Sequence, residues 1–263
     1  MDVSNLFSVK DKVVLVTGGA KGIGLMISSG FVAAGARVYI SSRDGAACES
    51  AAAALSAQGP GKAVALPCDL QQLDSIAALA AALSARETAL HVLVNNSGAN
   101  WGESYDTYPD AAFSKVLTLN LQRVFTLTQA LTPLLVAASR PPLDPARVIH
   151  IGSIDGLRVP ALETYAYSAS KAGLHHLSRV FSSHLGRRGI TSNVLACGPF
   201  ESKMMKATLE RFKDKIEAGV PLGRIGTPED VAGACIFLAS RAGAYINGAT
   251  ITVDGGSHCA AKL

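Results

Sequence analysis

The sequence predicts an α/β fold: a doubly wound, seven-stranded parallel sheet flanked by helices, in one domain spanning residues 1–263. Three observations predict it. Short β-branched runs alternate with alanine-rich stretches of helical length, the pattern of parallel strands joined by crossover helices. A glycine cluster stands directly between the first strand run and the first helix, where such folds bring backbone close to a ligand. No internal repeat or long linker divides the 263 residues, a length that one α/β domain accommodates.

The elements follow in order. Val13-Val14-Leu15-Val16 makes the first strand, 12–17, an unbroken apolar run of the kind covered on both faces of a sheet. A helix over 22–34 opens on the glycines that follow. Val38-Tyr39-Ile40 marks the second strand, 37–41, and the alanine-rich 46–58 the next helix. A third strand over 63–67 stops at Pro67, and 73–85 repeats Leu and Ala at helical steps. Val92-Leu93-Val94 centres the fourth strand, 89–95, before one long helix over 111–137. Pro141, Pro142 and Pro145 keep the short loop before the fifth strand, 147–152, irregular. A helix over 165–186, a strand over 191–196, a helix over 228–240 and a strand over 250–254 complete the alternation. Residues 198–226 lack strand character and mix Phe200, Met204, Met205, Leu209 and Phe212 with charges. They read as a mobile helical flap over the sheet edge or as a surface helix burying its own stripe.

The composition narrows the function. With 49% hydrophobic and 17% charged residues, the chain can bury a large core. Twenty-four basic against twenty acidic residues, scattered without a run, leave no nucleic-acid footprint. No apolar stretch has the length of a membrane span, and the N-terminus resembles no signal or transit peptide. The five cysteines lack metal-clip or redox spacing, which points to a reduced compartment. Six histidines offer no metal pairing either: the adjacent His175 and His176 face different sides of a helix, so no metal site is expected.

The first strand ends in Thr17-Gly18-Gly19-Ala20-Lys21-Gly22-Ile23-Gly24. Glycine lets backbone approach a pyrophosphate, whose charge then meets the free N–H groups opening the helix. On this first turn of an alternating chain the cluster reads as a dinucleotide site built on Gly18, Gly22, Ile23 and Gly24. The second strand ends at Ser41-Ser42-Arg43, where the adenosine ribose is read. A carboxylate there would favour NAD, whereas Ser42 and Arg43, with Lys21 in the loop, leave room and charge for a 2′-phosphate. NADP(H) is therefore the expected cofactor. In the competing reading Lys21 and Arg43 are solvated cations and Asp44 takes the acidic role, although its place suits a helix N-cap.

Tyr167-Ser168-Ala169-Ser170-Lys171 places a phenol and an ammonium at i and i+4, on one helix face. A fixed cation favours the phenolate and brings tyrosine closer to proton transfer at neutral pH. Tyr165, six residues from Lys171, does not share that face.

Taken with Asn95-Asn96-Ser97-Gly98 after the fourth strand and Ser153 after the fifth, these motifs resemble the short-chain dehydrogenase/reductases, in order and spacing, from about Lys12 to Gly256. The chain looks most like the 3-oxoacyl (β-ketoacyl) reductases of this Rossmann-fold family, including the rhamnolipid-pathway type, through Asn100-Trp101-Gly102 and residues 166–177 and 244–256. The resemblance implies Tyr167 as general acid, Lys171 as the group that lowers its pKa and binds the nicotinamide ribose, and Ser153 as a hydrogen-bond donor to the substrate oxygen. It implies that Asn120 holds a water linking Lys171 to solvent. Asp69 and Leu70 would meet the adenine, and Asn96, Ser97 and Gly98 would line the cofactor. It also implies a homotetramer, or a homodimer, built through the long helices.

One turn departs from the family. Cys197-Gly198-Pro199-Phe200-Glu201-Ser202 has cysteine where the family has proline and Ser202 where it has threonine. Gly198, Phe200 and Ser202 are still expected along the nicotinamide. A thiol at Cys197 beside the nicotinamide would make the enzyme sensitive to alkylation. The chain is thus expected to be an NADPH-dependent carbonyl reductase. A 3-oxoacyl thioester or similar ketone is favoured, with Trp101, Leu157, Phe200, Met204 and Met205 as apolar lining. An NADP-dependent small-ketone, secondary-alcohol or polyol dehydrogenase is the alternative, and a non-catalytic NADPH sensor the reading from another class. Ala261-Lys262-Leu263 is one residue from the Ser-Lys-Leu address, so a peroxisome is the expected location, and the cytoplasm otherwise.

Overall fold

Seven strands, β1 (Val13–Thr17), β2 (Arg37–Ser41), β3 (Lys62–Ala65), β4 (Val92–Asn95), β5 (Ala146–Ser153), β6 (Ile190–Cys197) and β7 (Thr250–Val253), form one sheet in the computed structural model. Residues 2–140, 142–202 and 205–260 are described. The strand order is β3-β2-β1-β4-β5-β6-β7, and every neighbouring pair is parallel. The helices are α1 (Val3–Leu6), α2 (Gly22–Ala33), α3 (Gly45–Gln58), α4 (Leu73–Ser84), α5 (Asp110–Leu117), α6 (Arg123–Ala138), α7 (Tyr165–Leu185), α8 (Lys206–Ala218) and α9 (Pro228–Ala239). No described helix is long and apolar enough to cross a membrane.

Two cores follow from the strand period of two. Val14 and Val16 of β1 point to one face with Ile27, Phe31, Leu55, Val231 and Leu238. Val13 and Leu15 point to the other with Ile76, Leu79, Leu127 and Leu131. A strand buried on both faces cannot alternate with polar residues, which is why β1 reads as a continuous apolar run. Helices α2 and α9 approach closely because residue 30 is glycine: a Cβ there would stand 2.5 Å from that of Ala232. The buried Arg147 of β5 closes the end of α9, donating through Nε to the Leu238 carbonyl at 3.0 Å and through Nη2 to that of Ser240 at 2.8 Å. Those are carbonyls a helix terminus leaves without partners.

The chain builds outward from β1 to β3 and then returns to lay β4 on the other side of β1. Connections diverge at that reversal and open a crevice at the carboxyl ends of the strands. Thr17 closes its floor. Its hydroxyl donates to the Val94 carbonyl and accepts the N–H groups of Asn96 and Ser97, both at 3.0 Å, while Asn96 Nδ2 donates to the Thr17 carbonyl at 2.8 Å.

Two expectations change. The helix expected over 111–137 is interrupted by a π-helical turn, Thr118–Gln122, between α5 and α6. One extra residue in a helix widens it locally without altering the apolar rhythm on either side, so periodicity did not reveal it. The flap is a helix, α8, with non-helical backbone at Phe212 and Phe200 turned away from it. Phe200 sits in the core at 2% exposure, bridged to Gly226, whose missing Cβ makes room for the ring. It borders a cavity that it shares with Pro221, Leu222 and Thr252. Met204 and the terminal Ala261-Lys262-Leu263 lie outside the described residues.

Candidate active site

The loop between β1 and α2 can take a dinucleotide pyrophosphate by geometry. Gly18 and Gly22 have φ of +65° and +53°, which side-chain-bearing residues rarely adopt. At Gly24 a Cβ would fall 2.2 Å from the Gly18 carbonyl oxygen, so the first helical turn presses against the strand end. The N-cap residue of α2, Lys21, makes no side-chain capping bond, which leaves the opening N–H groups of a twelve-residue helix for an anion. Ile23 is partly buried and anchors that turn on the first core.

The charged rim agrees with the NADP reading. Lys21 and Arg43 are exposed and make no side-chain hydrogen bond or ion pair among the described residues. Asp44 is the N-cap of α3, accepting from the Ala47 N–H at 3.0 Å, so it is committed to the helix. Ser42 Oγ bonds the Asp44 carbonyl at 3.1 Å and shapes the turn that carries Arg43. Asp69 caps its own turn through the Gln71 N–H at 3.0 Å, and Leu70 is buried in the second core, which leaves only its backbone for the crevice.

Across the crevice, β5 ends at Ser153 and α7 presents Tyr167 and Lys171. Lys171 is 5% exposed, its Nζ donates to the Ile151 carbonyl at 2.7 Å, and it stands 5.5 Å from the centroid of the Tyr167 ring. Burial pushes the Tyr167 phenol up to about 12, opposed by the nearby Ser153 side chain. Burial also pulls Lys171 down to about 8. The depressed tyrosine pKa expected from the i, i+4 pair is therefore not found. Burial disfavours the phenolate, and the ammonium is directed at a carbonyl. The phenol is protonated at neutral pH, the form an acid needs.

Asn120 sits in the π-helical turn, fully buried, and exchanges two bonds with the backbone of Ala99: it accepts the N–H at 2.8 Å and donates to the carbonyl at 2.9 Å. Its Nδ2 also reaches Ser170 Oγ at 3.0 Å. A Cβ at Gly98 would stand 3.2 Å from Asn120 Oδ1 and 3.8 Å from Lys171 Nζ, so glycine lets the loop after β4 come in between them. The side-chain amide is spent on protein partners, and what it does for Lys171 is hold this loop against it.

At the departing turn, a Cβ at Gly198 would strike Asp254, and a Cβ at Gly22 would stand 3.2 Å from that of Ser202. Ser202 thus lies over the phosphate loop. Cys197 points into the first core beside Cys235, and burial pushes its thiol up to about 12. The expected reactivity of that thiol is not supported, because the nucleophilic thiolate is suppressed. Tyr165 is exposed, donates to Glu163 at 2.8 Å, and stacks edge-on with Tyr105 and Tyr108.

Sequence reasoning passed over His175. It is buried, four residues beyond Lys171 on the same face, and its Nε2 accepts the Ser153 N–H at 3.5 Å. Gly152, just before Ser153, is where a Cβ would collide with its ring, whereas one at Gly156 would first meet the backbone of α7.

Residues 18–258 match the family model described as Enoyl-(Acyl carrier protein) reductase. The chain belongs to the short-chain dehydrogenase/reductase family. It is an oxidoreductase of that family and is 43% identical over 254 residues to the rhamnolipids biosynthesis 3-oxoacyl-[acyl-carrier-protein] reductase of Pseudomonas aeruginosa, covering 96% of this chain and 98% of that one. A galactitol 2-dehydrogenase (L-tagatose-forming) of Cereibacter sphaeroides is 32% identical, covering 97% and 98%. Among solved structures, the Pseudomonas aeruginosa RhlG/NADP active-site complex superposes with a TM-score of 0.92 at 42% identity, covering 97% of this chain and 99% of that one.

Proposed function

We propose that this short-chain dehydrogenase/reductase is an NADPH-dependent carbonyl reductase whose favoured substrate is a 3-oxoacyl thioester. The observation that carries the reading is the meeting of Ser153, Tyr167, Lys171 and the Asn120-held loop at the strand ends, across the crevice from the glycine loop. The pyrophosphate fits the glycine loop and the start of α2, and a 2′-phosphate fits Lys21 and Arg43, which are exposed and unpaired among the described residues. When bound, NADPH supplies the hydride to the carbonyl carbon. Ser153 donates a hydrogen bond to the carbonyl oxygen, and the protonated Tyr167 transfers its proton to that oxygen. Lys171, held by the Ile151 carbonyl, stabilises the phenolate left behind.

The acyl preference rests on the crevice mouth. Trp101 and Tyr105 after β4 and Leu157, Val159 and Leu162 after β5 are exposed, Val159 at 86%. The two loops are joined by the Glu103 N–H donating to the Glu163 carbonyl at 3.2 Å and by the Tyr105 and Tyr165 rings. An apolar rim suits an acyl chain better than a polyol. The 3-oxoacyl reductase of Pseudomonas aeruginosa supports the same choice, and the galactitol dehydrogenase represents the alternative.

The test follows nicotinamide absorbance with NADPH and NADH across 3-oxoacyl thioesters, simple ketones and oxidised sugars, in wild type and Tyr167→Phe. Turnover of thioesters with NADPH, lost by about 10²–10⁴-fold in Tyr167→Phe, is expected. Inert thioesters with active sugars would move the substrate to the polyol class. Full activity in Tyr167→Phe would overturn the mechanism.

Two further readings belong to the proposal. A homotetramer is supported by apolar side chains left exposed on the long helices, Phe125 and Val136 on α6 and Val180 on α7, and light scattering should give four times the 27.1 kDa chain mass. A peroxisomal location rests on the terminal Ala261-Lys262-Leu263, and unchanged distribution of a tagged protein lacking that tripeptide would sink it.

A further inference from the structure

Helix α7 carries a third group in line with the two that the proposed chemistry uses. Tyr167, Lys171 and His175 stand at successive four-residue steps, on one face. His175 is 2% exposed, and its Nε2 accepts the backbone N–H of Ser153 at 3.5 Å. The backbone just before that serine is moulded to the ring, since a Cβ at Gly152 would stand 2.4 Å from Nε2, and Gly156 beyond it lets the loop lie against the α7 backbone, where a Cβ would stand 2.8 Å from the Ala172 nitrogen. Strand β5 runs beyond its pairing with β4, which ends opposite His150, so at Ser153 only β6 remains as a strand neighbour.

The ring is held neutral. Burial, then the Lys171 and Arg179 cations, pull His175 down to about 4. With Nε2 accepting, the ring hydrogen is on Nδ1, which is buried without a hydrogen-bond partner. A leucine would fill this space without an orphaned donor, so simple packing gives no reason for an imidazole here. The acceptor that meets Ser153 does.

We propose that His175 is a positioning residue, whose neutral Nε2 fixes the backbone of Ser153 and with it the point at which the Ser153 hydroxyl meets the substrate oxygen and Tyr167. The inference rests on the role given to Ser153 above. It assigns His175 no contact with substrate and no proton transfer. Its effect should therefore fall on kcat and pass entirely through Ser153.

The test compares His175→Leu, which has no acceptor, and His175→Met, whose thioether accepts only weakly, with His175→Gln, which restores a strong one, each in wild-type and Ser153→Ala backgrounds. Steady-state kinetics with NADPH and the best ketone, cofactor binding by fluorescence and Tm are measured for all. His175→Leu or His175→Met should lower kcat by about ten- to a hundredfold. The KM for NADPH should stay within twofold, His175→Gln should recover most of the loss, and the histidine substitutions should add nothing in Ser153→Ala. Equal kcat in the Gln, Met and Leu variants, or a loss that persists in full on top of Ser153→Ala, would overturn the proposal. If Ser153→Ala alone leaves kcat unchanged, the reading of Ser153 fails first and takes this inference with it. Should Leu not fold, Met carries the comparison, with Tm as the control.

Discussion

Replacing Arg43 by serine isolates the charge that is proposed to select NADPH. The side chain is exposed, follows the end of β2, and makes no hydrogen bond or ion pair among the described residues. Asp44 keeps its capping bond to Ala47, so α3 is undisturbed and stability should move by less than about 0.5 kcal/mol. A hydrogen bond to a charged group contributes about 1.5–3 kcal/mol. At about 1.4 kcal/mol per decade, the KM for NADPH should rise by about tenfold to a little over a hundredfold. The KM for NADH should stay within about twofold, since that cofactor has no 2′-phosphate to lose a partner. Initial rates by nicotinamide absorbance, at low and high salt, give both numbers, and the wild-type preference for NADPH should shrink with salt as exposed charges are screened. A parallel rise for both cofactors would mean that Arg43 shapes the pocket instead of reading the phosphate. An unchanged KM for NADPH would refute the assignment.

Three other outcomes follow from the geometry. Gly24→Ala puts a methyl group 2.2 Å from the Gly18 carbonyl and should destabilise the fold by about 1–3 kcal/mol and weaken NADPH binding at least about tenfold in a fluorescence titration, whereas Gly233→Ala in α9, with open space around it, should stabilise by up to about 1 kcal/mol. His150 is fully buried between Asn95 and Ser192, and burial, with the Lys171 cation and His175, pulls it down to about 3. The unfolded chain protonates this ring near pH 6.5 and the folded one does not, so its contribution is complete above that value and is lost as pH falls toward 3. The unfolding free energy from urea titrations should drop between pH 6.5 and 5 by up to about 1.4 kcal/mol per unit for each such histidine, and a slope that is unchanged in His150→Gln would contradict the reading. In the native state a thiol reagent should modify Cys259, the exposed cysteine, and spare the buried Cys197, so inactivation that Cys197→Ala abolishes would show that turn to be open.

The parallel sheet was legible because burial on both faces makes each strand a continuous apolar run, and the glycine loop because its rule is steric. Thr17 and Asn96, which pin the crevice floor, carry no such signal: their partners are backbone groups nearly eighty residues away. The Tyr167 and Lys171 pair was legible as spacing, but its electrostatics were not. Local sequence says that a cation is four residues off, whereas the depth of burial that reverses the tyrosine shift is a property of the folded site. The π-helical turn escaped because each flank keeps its own helical rhythm and only the phase between them shifts, and the burial of Phe200 escaped because a buried aromatic and an exposed one look alike in a loop sequence.

The bridge between Phe200 and Gly226 has an evolutionary reading. It ties the two ends of the α8 excursion together, with the Gly226 N–H donating to the Pro199 carbonyl at 2.9 Å and the Phe200 ring keyed into the core. A segment clamped at its base can be lengthened, shortened or exchanged at little cost, because loop closure changes only slowly with loop length. Selection for a new substrate could then act on this excursion almost independently of the sheet. For an engineer, Phe200 and Gly226 mark the two cut points between which a foreign flap could be grafted while the proton chemistry at Tyr167 stays in place.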